Sequence, residues 1–429
     1  MKPLNLTTAN NELYLNNYSL KELAKTYHTP LYVYDEKHIL SVIDEYLNNF
    51  KTSKFETKIV YASKAFLVPE ICNIASSKGL MIDAVSIGDL YVIEKSGFSL
   101  ENVVFHGNNK SNEELEYAAS HKVGLIVVDN LDELNRLSKI ATEKKVMVNT
   151  LFRVNPGIDA HTHKFIQTAL YISKFGESIY DEETIDKIIK KYQVSNYVKL
   201  LGFHSHIGSQ IHDQKPFLMN VDKMVEFTKK IENKYQIRLP YLNLGGGFGI
   251  QYQTTDKKLD LENLLKKMIK RLTKKVNELE YNLECAFIEP GRSIVGEAGI
   301  TLYECGTIKH TYGGKNFLFV DGGMTDNIRP SLYSALYTVD VVNKINEPKS
   351  ITVDIAGKCC ESGDIIAHNQ LIPETTPGDI LVVYDTGAYT YSMSSNYNGQ
   401  LKPTVILVGE KIKVISKKEE LNDLYRHFE

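Results

Sequence analysis

From about residue 37 to residue 300, short apolar runs alternate with segments whose apolar residues recur every three or four positions. The first kind reads as buried strand and the second as amphipathic helix packed on one side. The predicted strands are Lys58–Ala62, Met81–Val85, Val103–Phe105, Gly124–Val128, Val146–Val154, Val198–His204, Tyr241–Leu244 and Cys285–Ile288. The predicted helices include Pro69–Lys78, Gly88–Ser96, Asn112–Ser120, Asn130–Thr142, Asp181–Tyr192, Lys215–Tyr235 and Asp260–Glu278. Eight strands alternating with helices over this length predict a (β/α)8 TIM barrel, an α/β fold, with an open doubly wound sheet as the alternative.

After about residue 300 the pattern changes. ITLYECGTIKHTYGG, KNFLFVDGG, SITVDIAG, DILVVYDTG and TVILVGEKIKVI are β-rich runs separated by turn signals. They predict a C-terminal all-β domain, a sandwich or barrel. The expected division is a barrel over 36–300 and a β-domain formed by 1–35 plus 301–429, with LYVYD near the N-terminus lending a strand.

Composition narrows the function little. The 50 basic and 53 acidic residues are nearly balanced, so neither nucleic acid nor an anionic membrane is an expected partner. Pairs such as Lys266-Lys267 read as solvated helix faces. No run approaches the ~18 apolar residues of a membrane span. The start lacks a signal-peptide core, so a cytoplasmic location is expected. The five cysteines form no C-x-x-C pair, and reduced thiols without structural zinc are expected.

Polar residues collect at the predicted strand ends, where barrels of this kind carry their chemistry. Lys64, Ser86, His106 with Asn108, Arg153 with Asn155, His204 with His206 and Ser209, the glycines 245–247 and 249, and Glu289 with Arg292 all fall there. One such cluster is ordinary turn chemistry. Seven at one mouth are not explained that way. Each residue still has a plain alternative. Lys64 could be a surface lysine, and a nucleophilic amine would need a buried or cationic setting. Glu289 could simply pair with Arg292. GGGFG could be a tight turn or an anion cradle of bare N–H groups, and it does not match a dinucleotide fingerprint. His204 and His206 share a strand face and could bind a metal, or one could pack while the other stacks on a flat cofactor. In GKCCESGD, a thiol beside a carboxylate stays protonated, which suits a proton donor, and Cys359 reads as the buried member.

YASKA, HGNNKS, NPGIDAHTH with KFG, HSHIGSQI, LGGGFGI, EPGRSIV, RPSLY, CCESGD and GAYTYSMSSNYN occur in this order. With them the chain resembles the diaminopimelate decarboxylases, a group IV decarboxylase family in the alanine-racemase-like class of pyridoxal-phosphate enzymes. The resemblance runs from about residue 28 to 415. It implies a pyridoxal 5'-phosphate cofactor, no metal, and decarboxylation of meso-2,6-diaminopimelate to L-lysine and carbon dioxide, the last step of lysine biosynthesis. The alternative on the same scaffold is another basic amino acid or carboxynorspermidine. It implies that Lys64 binds the cofactor covalently and that His206 stacks on its ring. Ser209, Gly245, Gly246 and Gly247, with Gly291 and Arg292 of EPGR, hold the phosphate. Glu289 meets the ring nitrogen. Arg292, Arg329, Tyr333 and Glu361 contact substrate. Cys360 donates a proton, and Tyr389 touches cofactor and substrate. It also implies a homodimer whose CESGD segment completes the partner's site. Two positions depart from the family pattern: Asp89 stands where glutamate is usual, and Ala169 where glycine is usual.

Overall fold

The structure, a computed structural model, describes residues 2–159 and 173–428. Ala169 and the HTH part of NPGIDAHTH lie outside the described residues. The chain divides into two compact units, one of residues 43–249 and 258–291, the other of residues 1–42, 250–257 and 292–429.

The first unit is an eight-stranded parallel barrel. Its strands are β1 (Glu56–Tyr61), β2 (Met81–Ala84), β3 (Val103–Phe105), β4 (Leu125–Val128), β5 (Val148–Asn155), β6 (Val198–His204), β7 (Tyr241–Asn243) and β8 (Cys285–Ile288). Each pairs with its successor, and β8 pairs with β1 in the register Cys285↔Glu56 to Ile288↔Ile59. That last pairing closes the ring and excludes the open sheet. The strand interiors are apolar because both faces are buried. Val60, Met81, Val104, Leu125, Val127, Leu151, Leu201, Cys285 and Phe287 form one apolar cluster in this unit.

Among the described residues, seven α-helices connect the strands: α1 (Pro69–Ser77), α2 (Ile87–Lys95), α3 (Asn112–Ser120), α4 (Leu131–Lys144), α5 (Glu182–Gln193), α6 (Gln214–Tyr235) and α7 (Leu261–Glu278). Their starts are written in the sequence. Pro69 opens α1, Ser111 and Glu114 form a capping box on α3, and Asp181 and Asp260 cap α5 and α7. Asn130, expected inside α4, sits one residue before it and accepts from the Glu133 N–H. Asp89 has a local account. Its N–H donates to the Ser86 hydroxyl and its carboxylate accepts from the Val85 N–H at 2.9 Å, so the shorter side chain closes the start of α2.

The second unit is mostly sheet. Strand Leu31–Asp35 is buried throughout and lies between Gly299–His310, antiparallel, and Thr404–Val408, parallel. Gly299–His310 continues to Asn316–Val320, Ile351–Ala356 and Ile365–Ile372, and also pairs with Ile380–Val383. A separate three-stranded sheet holds Leu6–Ala9, Glu12–Leu15 and Tyr18–Ser19. The unit boundaries differ from 36 and 300. Ile250 and Tyr252 belong to the same apolar cluster as Tyr303, Leu318 and Val353, so segment 250–257 goes with the sheets.

Candidate active site

In the barrel unit the polar residues at the strand ends make two connected groups. The first surrounds Glu289, just past β8. Its Oε1 accepts from Asn243 Nδ2 at 2.8 Å and lies 2.9 Å from His106 Nε2, and its Oε2 lies 3.1 Å from His204 Nε2. All four side chains are buried. Burial pushes the Glu289 carboxyl up, but His106 and His204 outweigh it and hold the group well below the usual carboxylate range. Burial lowers His204 to about 4 against the pull of Glu289, so its ring is neutral at pH 7 and donates through Nε2–H. The nitrogen and oxygen atoms of His106, His204 and Glu289 lie within 4.8 Å of one another, close enough to hold a metal ion by distance alone. The pairing of Glu289 with Arg292 weighed from sequence is replaced by this set of three donors.

The second group surrounds Lys64, in the short turn after β1. Its Nζ meets Asp83 Oδ2 at 2.5 Å, and the Ser63 N–H donates to Asp83 Oδ1 at 2.6 Å. Asp83 is fully buried in β2, while the Lys64 side chain is 38% exposed. The setting is therefore a half-buried lysine on a buried carboxylate.

His206 does not converge with His204 on one ligand atom. Its Nδ1 accepts from the Gly246 N–H at 3.2 Å. Burial first, then Arg153, Lys64 and His204, keep it well below the usual histidine range, so it is a neutral ring with its proton on Nε2. Arg153 itself lies over the Phe175 ring at 4.4 Å.

The glycine loop is tight. A Cβ on Gly246 would stand 2.0 Å from the Glu289 carbonyl oxygen. Gly247 has φ +106°, and a Cβ there would stand 2.2 Å from the Gly208 carbonyl oxygen, beside Ser209. Among the described residues, the Gly247 and Gly291 N–H groups have no acceptor. A neutral imidazole ring, a buried anionic carboxylate, a lysine and bare N–H groups fit pyridoxal phosphate.

In the sheet unit, Arg292 and Arg329 come together on Tyr252. Arg292 Nη1 and Arg329 Nη1 donate to the Tyr252 hydroxyl at 2.7 and 2.9 Å. The Arg292 guanidinium also lies 4.6 Å from the Tyr389 ring centre, and that of Arg329 5.8 Å from Tyr333. Cys360 and Glu361 sit on an exposed loop, where the Cys360 N–H donates to Asn398 Oδ1 at 2.6 Å. Asp364 fastens that loop. It accepts from the Cys359 and Met324 N–H groups at 2.8 and 2.6 Å. Cys359 is half-buried rather than buried, and burial with Asp364 beside it pushes its thiol up to about 11. Asp83, Asn243 and Tyr252 were not singled out from sequence, although each stands inside or beside a motif that was.

The sequence profile of the pyridoxal-dependent decarboxylases, pyridoxal binding domain, matches residues 38–296. The chain is 43% identical to diaminopimelate decarboxylase of Bacillus methanolicus over 92% of each chain. It is 41% identical to that of Staphylococcus aureus over 97% of each. It superposes on M. jannaschii diaminopimelate decarboxylase in co-complex with L-lysine with a TM-score of 0.92 at 31% identity, covering 100% of this chain and 98% of that one. The Helicobacter pylori enzyme complexed with L-lysine gives a TM-score of 0.87 at 31% identity, over 95% and 98%. The chain belongs to the diaminopimelate decarboxylase family of pyridoxal-dependent decarboxylases.

Proposed function

We propose that this protein uses pyridoxal 5'-phosphate to decarboxylate meso-2,6-diaminopimelate, yielding L-lysine and carbon dioxide. The observation that carries the reading is identity above 40% across nine-tenths of the chain with enzymes of that activity. Bound in the barrel, pyridoxal phosphate supplies an electron sink for the pair left on the α-carbon when carbon dioxide departs.

The residues of this chain do the rest. Lys64 binds the cofactor through Nζ, and Asp83 orients that amine. Glu289, held anionic, keeps the proton on the ring nitrogen. His206 offers a neutral face to the ring. Gly245, Gly246, Gly247, Ser209 and Gly291 receive the phosphate with N–H and hydroxyl donors that need no rearrangement. Arg292 and Arg329 grip the carboxylate at the non-reacting end of the substrate, Glu361 takes its ammonium, and Tyr333 and Tyr389 flank it. Cys360 returns a proton to the α-carbon.

A homodimer supplies the exposed Cys360 and Glu361 to the partner's site. No described helix is long and apolar enough to cross a membrane. The test is to mix the protein with pyridoxal phosphate and meso-diaminopimelate and follow carbon dioxide and lysine together. Equal amounts of both, lost in Lys64→Ala, are expected. Cofactor binding without lysine would move the substrate to another basic amino acid.

A further inference from the structure

Tyr252 is absorbed by no part of this scheme, yet two buried arginines meet on it. Arg292 and Arg329 are 7% exposed each, and each gives one Nη1–H to the same phenol oxygen. Their guanidinium carbons also lie 5.9 and 5.2 Å from the Tyr252 ring centre. Two cations this close repel, and a neutral oxygen between them offsets little of that. Among the described residues, Arg329 has no carboxylate partner, and its buried Nε has no acceptor. Buried charge without a counterion marks a place for an anion.

Tyr252 is itself held rigidly. Its ring meets Tyr337 edge-on at 5.5 Å. Its N–H and that of Gln253 both donate to Asp256 Oδ2 at 2.9 Å, which closes segment 250–257 into a turn. The phenol oxygen accepts from both arginines, so its own hydrogen is left for a third partner. The described residues provide none. Two guanidinium forks and one hydroxyl are a donor set for one carboxylate.

We propose that Tyr252 is the positioning residue of a carboxylate clamp. Its hydroxyl sets Arg292 and Arg329 side by side, so that the chain selects ligands by the carboxylate that the reaction leaves in place. The inference rests on the functional reading above, in which that carboxylate survives into L-lysine.

The test compares cofactor-loaded wild type with Tyr252→Phe, which keeps the ring and removes the oxygen. Binding of L-lysine and of 1,5-diaminopentane, which lacks only the carboxylate, is measured by calorimetry, along with kcat and KM. Losing a bond between a hydroxyl and charged groups should weaken L-lysine roughly ten- to hundredfold and raise KM alike, with kcat and diaminopentane binding within about threefold. Arg329→Met should remove the same discrimination, and adding Tyr252→Phe to it should cost no more. Equal weakening of both ligands, no weakening of either, reduced cofactor loading alone, or additive losses would overturn the clamp. A wild type that makes no lysine would sink the functional reading instead.

Discussion

His204 reaches Glu289 through Nε2 over 3.1 Å, while its other ring nitrogen, Nδ1, is buried without a partner among the described residues. A charged imidazolium there would carry a second N–H with no acceptor, which is one reason the ring stays neutral. Protonation is therefore resisted in the folded chain and free in the unfolded one. The unfolded chain takes up the proton as pH falls below 6.5, whereas the folded chain does so only near about 4. Stability is fully present above pH 6.5 and is lost as pH falls through that window. The loss is of order 3 kcal/mol, and the depressed Glu289 extends it in the same direction at still lower pH. Urea midpoints between pH 7.5 and pH 4.5 check this. His204→Gln should flatten the dependence, and an unchanged slope would refute the assignment.

Lys110, in the HGNNK motif, is buried with Glu133 at 2.7 Å and donates to the Gly107 and Val127 carbonyl oxygens. Lys110→Met leaves Glu133 buried and alone, and should cost about 3–5 kcal/mol. The double variant Lys110→Met, Glu133→Leu should recover most of that loss. A single variant within about 1 kcal/mol of wild type by chemical denaturation would contradict the pairing.

Gly246→Ala places a methyl group against the Glu289 carbonyl. The loop must shift, and overpacking of this kind costs about 1–3 kcal/mol. Because the same loop receives the phosphate, cofactor affinity should fall about tenfold or more. Titration with pyridoxal phosphate measures it, and wild-type affinity would remove the loop from the cradle.

Cys360→Ala should lower kcat roughly 10²–10³-fold with a smaller change in KM, whereas Cys359→Ala should not. Steady-state kinetics on both variants decides which thiol supplies the proton. Equal losses would mean that the loop, not the Cys360 sulfur, is what matters.

The barrel was legible because its strands are buried on both faces and its helices on one, and those two periods differ. Strand ends were also readable, since Lys64, His206 and Glu289 interrupt apolar runs. Residues acting on those groups were harder to see. Asp83 is the one polar position of β2 and looks like a blemish in MIDA. Asn243 hides two residues before the glycines. Lys110 and Glu133 are 23 positions apart and meet only because β3 and β4 are neighbours. Tyr252 follows a loop whose glycines read as the whole motif, and only packing assigns it to the sheet unit.

The strand Leu31–Asp35 has a consequence for how the chain is made. During synthesis it leaves the ribosome before the whole barrel, and its parallel neighbour Thr404–Val408 leaves after it. The barrel can close once Ile288 has emerged, but this strand must wait with one edge open and its apolar side chains uncovered. Nascent chains are therefore most prone to misassociate late, after the barrel is finished. A chain that stops short of Thr404 would keep a closed barrel and an unsealed sheet.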